Sequence, residues 1–296
     1  MATPGLPYMS HNVRCYYKSE STFGSFNASG ECYSLPWTDI DPAIDPNLIK
    51  VRGAGTKQLT GIKRGMRQGN VRLAWILPSD PTAFLKGCYD GAARSIEILY
   101  FLGDWSSPSS VISLLFTGCR ANRFSVAARA TPEDSDEAFI RAEAEVICQN
   151  LTVATAKQST GNYNDNYTSG HRLFTDSYVL KGGSEISDVI AWKVDFNMNL
   201  KPIPVIRTTD AYLMKYLQIR QIDVEAELEF AFTSKTRYDE VLSDTAADWE
   251  VGLGATGHKI FLDDAKQELV STPLKIGDVI LCRVKLVPLT GSVVRP

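Results

Sequence analysis

Two stretches of the chain run through the same succession of features, and this repetition constrains the fold more than any single motif does. Trp37 and Arg52 bracket the opening of the first stretch. Trp192 and Arg207 bracket the second at the same spacing, and each Arg follows a β-branched residue, Val51 or Ile206. A strand comes next in both, with Val71, Leu73 and Trp75 on the apolar face of one and Ala226, Leu228 and Phe230 on the other. A short helix follows, holding Phe84 or Tyr238. Asp90-Gly91-Ala92-Ala93 is then echoed by Asp244-Thr245-Ala246-Ala247, and a strand begins near Ile96 and near Trp249. Each half closes on two branched apolar residues and a cysteine, Val146-Ile147-Cys148 and Ile280-Leu281-Cys282. Matched positions lie closer together late in the second half, so an extra hairpin or loop is expected in the first. The repeat predicts an N-terminal arm over 1–30, a first unit over 31–153, a linker or long loop over 154–187 and a second unit over 188–296. The linker is rich in Ser, Thr, Asn, Gly and Tyr and shows no periodicity.

The elements inside each unit read as strands. Segments 96–102 and 111–116 form a hairpin around Gly103-Asp104. Segments 124–128, 189–200, 222–232, 249–253, 259–262 and 279–287 are further strands. Helix signals are short: one begins at Pro81 after Ser79-Asp80, and one spans 236–242. Segment 211–217 fits either a helix or a strand. Segment 138–146 alternates like a strand but is rich in helix-forming Ala and Glu. Its counterpart in the repeat, 278–285, argues for a strand.

Composition narrows the function classes. Thirty-one Lys+Arg against 34 Asp+Glu give a formal charge of −3, which excludes a strongly basic nucleic-acid coat. No apolar run approaches the roughly 20 residues of a membrane span, and no leader sequence is evident. The expectation is a soluble protein made in the cytosol, with no membrane contact. Cys15, Cys32, Cys88, Cys119, Cys148 and Cys282 are too far apart for redox or zinc motifs, so they are expected as reduced, buried small hydrophobes. The sequons at Asn27, Asn150 and Asn166 then read as chance matches.

Enzyme signals are absent or misplaced. Gly252, Gly254 and Gly257 match a dinucleotide-binding pattern, but a strand follows where the phosphate site needs a helix N-terminus. The segment reads as a hairpin turn. His11, His171 and His258 stand alone in sequence, and no catalytic, metal or cofactor motif is present. The chain is expected to be neither an enzyme nor a cofactor protein.

Further residues carry a family resemblance. Glu20-Ser21-Thr22-Phe23-Gly24 resembles the opening of one large family of tail tube proteins of long-tailed phages and archaeal tailed viruses. The Gly- and Lys-rich run after Arg52, leading to Gly69-Asn70-Val71-Arg72-Leu73, is similar to that family, as is the order strand, short helix, strand, hairpin, strand. The resemblance implies a mainly β fold: two tandem β-sandwich domains, each with a short flanking helix, giving strands to an oligomeric inner β-barrel. It also implies stacked rings forming a conduit for genomic DNA. Implied partners are further copies of the chain, a tape measure protein, tail-end proteins and passing DNA. The implied location is a virion tail assembled in host cytoplasm.

Charge patterning adds candidate residues. In strand 222–230, period two places Asp223, Glu225, Glu227 and Glu229 on one face. A solvated sheet face is one reading. The other is a lumen wall along which phosphate slides without sticking. Glu143 and Glu145 alternate in the same way, and Arg72 is expected opposite them. Arg283 and Lys285 are expected opposite the Glu225 strip. The predicted lumen is therefore of mixed charge and net acidic. The connection holding Lys50, Arg52, Lys57, Lys63, Arg64 and Arg67 has no acid and several glycines, which fits a nucleic-acid contact or a solvated loop; the family resemblance implies instead a long loop that reaches the next ring and docks on an acidic rim. Six single-domain copies make a ring in the simplest relatives. Two domains per chain then favour three chains per ring, with six as the alternative. Other readings are a ligand-binding β-sandwich module, a tail terminator or a distal tail ring.

Overall fold

Alternating apolar and polar residues set most of the elements, and the computed structural model shows how they assemble. It describes residues 9–52, 59–65, 67–130, 138–165, 170–205, 213–233, 235–273 and 280–296. The first half contains β1 (Val13–Ser19), β2 (Cys32–Tyr33), β3 (Trp37–Asp45), β4 (Leu48–Arg52), β5 (Leu59–Arg64) and β6 (Gln68–Ile76). Helix α1 (Thr82–Tyr89) then leads to β7 (Arg94–Asp104), β8 (Ser107–Arg129), β9 (Arg141–Cys148) and β10 (Asn150–Ala154). After β11 (Tyr163–Asn164) come β12 (Val179–Lys181), β13 (Ser184–Glu185), β14 (Val189–Asn197), β15 (Leu200–Ile203), β16 (Tyr216–Ile219) and β17 (Asp223–Ala231). The chain ends with α2 (Thr236–Leu242), β18 (Ala247–Ala255), β19 (His258–Ser271), β20 (Leu281–Val287) and β21 (Thr290–Val294).

The fold is mainly β and built as sandwiches. One antiparallel sheet runs through both halves in the order β3, β6, β9, β8, β14, β17, β20, β19. It does not close on itself. Two outer sheets cover it, one from β1, β7, β8 and β10, the other from β12, β18, β19 and β21. Between the layers lies one apolar core that includes Trp75, Phe116, Phe196, Phe230 and Trp249. Burying each such side chain contributes about 2 kcal/mol.

β8 and β19 each serve two sheets. Segments 111–116 and 124–128, expected as separate strands, are parts of β8, which pairs β7 and then crosses over to pair β9 and β14. The crossing is made at Gly118, with φ 63°. β19 crosses at Asp264, with φ 48°. A register shift follows each, between Ala121 and Arg123 and between Gln267 and Leu269.

These pairings fix which residues of the two halves correspond. Gln149 N–H donates to Thr117 C=O next to the Asn150–Thr117 pair, and Leu289 N–H donates to Asp263 C=O next to the Thr290–Asp263 pair. Gln149 therefore matches Leu289, and Ile147 matches Val287. Following the register across the sheet matches Arg72 with Glu227, Glu143 with Arg283 and Glu145 with Lys285. Asn47 (φ 46°) matches Asn199 (φ 45°), each with its N–H on the side-chain oxygen two residues before.

Several sequence matches shift as a result. Trp192 lies opposite Leu228, as Ile40 lies opposite Leu73, so Trp192 corresponds to Ile40 and not to Trp37. Cys148 ends β9 opposite Gly69, whereas Cys282 lies near the start of β20 opposite Phe230. They occupy opposite ends of corresponding strands. The two helices end alike, but Gly91 matches Asp244: both have positive φ, and both bond back to the helix three residues earlier. The first half is longer because its β7–β8 hairpin and its β8–β9 connection are both longer.

Other expectations meet the structure as follows. Residues 13–19, read as part of an arm, form β1 along β7 because Cys15 and Tyr16 bury their side chains there. Within 154–187, β11 pairs β2 and β12 pairs β18, with Val179 in the core. Segment 138–146 contributes to strand β9, and Tyr216–Ile219 is a strand. Val279 and residues 206–212, Arg207 among them, lie outside the described residues. All six cysteines are free and buried. Among the described residues, no helix is long and apolar enough to cross a membrane.

Candidate functional site

The through-going sheet has one apolar and one charged face. On β17, Val224, Ala226, Leu228 and Phe230 are buried, while Asp223, Glu225 and Glu227 are exposed and Glu229 is partly so. On β6, Val71, Leu73 and Trp75 point to the core and Arg72 points away. β9 buries Ala142, Ala144 and Val146 and exposes Glu143 and Glu145. β20 buries Cys282, Val284 and Leu286, leaving Arg283 and Lys285 on the other side. Antiparallel register and strict alternation thus bring Asp223, Glu225, Glu227, Glu229, Arg72, Glu143, Glu145, Arg283 and Lys285 onto one face.

Neighbouring strands on this face carry opposite charges. Arg72 stands across from Glu145 and bonds Glu143 at 3.1 Å. Glu143 holds the Arg72 guanidinium above its ordinary pKa, through the hydrogen bond first and its charge second. In the second half Glu227 stands across from Lys285 and Glu229 across from Arg283. Arg283 donates to Glu229 at 2.6 Å, and Arg129 approaches the same carboxylate at 3.4 Å. Lys285 reaches Glu268 at 2.7 Å and Glu225 at 3.3 Å, and those two hydrogen bonds raise its pKa, Glu268 the more. Such exposed pairs fix register more than they add stability.

Sequence reasoning missed several residues of this face. Asp39 and Asp41 of β3, Arg123 and Arg129 of β8, and Lys193 and Asp195 of β14 lie on it. In β14 the signal was available, since Trp192, Val194 and Phe196 are buried at every second position. Across the face, carboxylates outnumber cations.

The basic connection is partly a hairpin. Lys50 lies on β4 and Lys63 on β5, which pair with each other. Arg52 and Arg64 end the same two strands, and Arg67 makes a bridge to Leu213. Lys57 lies outside the described residues. Gly254 and Gly257, both at positive φ, belong to the end of β18 and the turn into β19, so the dinucleotide-like pattern is a hairpin.

A family model described as phage tail tube protein matches residues 11–281. The chain belongs to the phage tail tube protein family. The family is structural, so the charged face belongs to a structural component of a phage tail and not to an enzyme's active site. Among solved structures, a chain from the virion of a native gene transfer agent particle is similar at TM-score 0.35 and 8% identity, covering 41% of this chain and 98% of that one. A chain from the anti-feeding prophage baseplate, 6-fold symmetrised, gives TM-score 0.30 and 10% identity over 52% of this chain and 97% of that one. No curated protein sequence matches the chain.

Proposed function

We propose that this chain is the ring-forming subunit of the tail tube and that its charged sheet face lines the DNA conduit. The observation that carries the reading is the junction between β8 and β14. There the last strand of one four-strand set pairs antiparallel with the first strand of the next, over residues 123–129 and 191–197. β19 corresponds to β8 and β3 corresponds to β14. Among the described residues, β3 pairs only β6, and β19 beyond residue 265 pairs only β20. The two open edges are therefore the same two strand types that already meet once inside the chain.

Joining β19 of one copy to β3 of the next continues the sheet. Carrying the internal register over places Ile44 opposite Val270, as Phe196 stands opposite Phe124. Ile44 is exposed in the single chain, whereas Phe196 is buried and stacked on Phe124 at 4.5 Å. Asp39, Asp41 and Pro42 on β3 keep the free edge from indiscriminate pairing.

Three chains, each giving two four-strand units from 31–153 and 188–296, would close a barrel of about 24 strands. At roughly 4.8 Å per strand and about 40° tilt its backbone diameter is about 48 Å, wide enough for duplex DNA. The tape measure protein would occupy the same lumen before DNA does, and tail-end proteins would cap the stack. The outward face of the β4–β5 hairpin, with Ile49 and Lys63, is left to meet the next ring. The test is a reconstruction of purified rods by electron microscopy. Three chains per ring with both halves lining the lumen is the expected result; six chains with one half outside overturns the stoichiometry, and single particles without rings overturn the tube reading.

A further inference from the structure

The two small hairpins of the repeat, β4–β5 and β15–β16, correspond residue by residue but have opposite surroundings. Leu200 pairs with Ile219 and Pro202 with Leu217, as Leu48 pairs with Arg64 and Lys50 with Ile62. Leu217 thus matches Ile62, and Leu200 matches Leu48. Leu217 is 1% exposed and Ile62 is 58% exposed. Leu200 is partly buried against the core, whereas Leu48 is exposed.

The difference lies in what the hairpin sits on. β15–β16 belongs to the second half but docks on the first. Leu217 and Met214 cluster with Ile147, Phe23 and Leu200. Arg120 donates to Leu217 C=O at 2.5 Å, and Gln149 donates to Met214 C=O at 2.6 Å. Among the described residues, no hairpin covers the matching platform on the second half. Ile147 is 7% exposed while its counterpart Val287 is 39% exposed, and Leu289, in the place of Gln149, is also exposed.

We infer that the β4–β5 hairpin docks through Leu48 and Ile62 onto Val287 and Leu289 of a second copy of this chain in the same ring. This rests on the ring reading proposed above. The occupant follows from continuity with a contact the chain already makes. Where β14 pairs β8, the hairpin that follows β14 covers the end of the neighbouring half. Where β3 pairs β19 of another copy, the hairpin that follows β3 reaches the corresponding end of that copy. Each donor apolar residue and each receiving one is exposed in the single chain, and each has a counterpart at the internal junction that is buried (Leu217, Ile147), partly buried in the same cluster (Leu200) or hydrogen-bonded across it (Gln149). The contact is head-to-tail, so it closes with the ring.

The experiment uses Ile62→Cys and Val287→Cys together in the full chain, with a short bis-maleimide linker. Both positions are exposed, and the six native thiols are buried, so the linker reports on the introduced pair. The same sample is imaged by electron microscopy. Rods whose denatured cross-linked products stop at the copy number of one ring support the inference. A ladder running past that number places the hairpin on the next ring and overturns it, as do assembled rods that give no cross-link. Each single-cysteine variant should give monomers only, and cross-linked multimers from either one alone count against the pairing. Failure of the ring reading itself looks different: no rings or rods in the micrographs.

Discussion

Arg72 and Glu227 hold the same position in the two repeats and carry opposite charges, and their cross-strand partners, Glu145 and Lys285, are reversed with them. Each half keeps an attractive pair at this point of the sheet while neither half matches the other in sign. Such an arrangement favours the intended strand order, because shifting either half by one unit would bring like charges together.

Reversing Arg72 alone should therefore lower the urea midpoint, since an acid at this position faces Asp41, Glu143 and Glu145. Arg72→Glu combined with Glu143→Arg should recover part of the loss. A double-mutant cycle measures the coupling, and additive effects of the two changes would show that the cross-strand pair does not contribute.

Glu225→Lys, Glu227→Lys and Glu229→Lys together should leave the subunit folded, because the buried face of β17 is untouched. Assembled tails should deliver DNA roughly tenfold less well, with a steep salt dependence, because a basic wall binds phosphate. Measuring delivery against ionic strength checks this; unchanged delivery counts against the lumen assignment.

The bends in β8 and β19 give opposite predictions for one backbone position. A Cβ on Gly118 would come within 2.6 Å of Gln149 Cβ and 3.2 Å of Phe23 Cζ, at a φ that disfavours side chains. Gly118→Ala should cost about 1–3 kcal/mol. Asp264 already holds a side chain at positive φ, so Asp264→Gly should be neutral or gain up to about 1 kcal/mol. Denaturant titrations of the two variants check the contrast.

Acid should loosen the attachment of α2. Burial alone would raise the Glu240 pKa, but hydrogen bonds from Lys181 and Gln267, with the charges of Lys181 and Arg237, bring it below the usual carboxylate value. The Lys181–Glu240 ion pair spans 2.6 Å. A depressed carboxylate contributes stability above its unfolded pKa, and the contribution is lost as pH falls through the folded pKa. Wild-type stability should therefore drop below about pH 4.5 more steeply than that of Glu240→Gln, as thermal melts across the acid range would show.

Much of the sheet was legible before any tertiary contact was known. Strict alternation in 223–230 and in 141–146 announced which side chains share a face, because successive strand residues must point to opposite sides. The same rule puts Lys193 and Asp195 on that face, because they alternate with the buried Trp192, Val194 and Phe196. The length of β8 was not legible, since 111–116 and 124–128 read as separate strands when no second sheet is in view to take up the bend at Gly118.

The sequence by itself determined the strand periodicity, the repeated order of elements, the charge of one face and the family. Those properties are local: they depend on residues two or four apart, or on the order of short segments along the chain. Only the tertiary structure decided that Trp192 answers Ile40, that Cys148 and Cys282 lie at opposite ends of their strands, and that one hairpin is covered while its twin is bare. These depend on register between strands distant in sequence, where a slip of one residue turns every side chain to the other face, and that register is set by bulges and bends that only packing reveals.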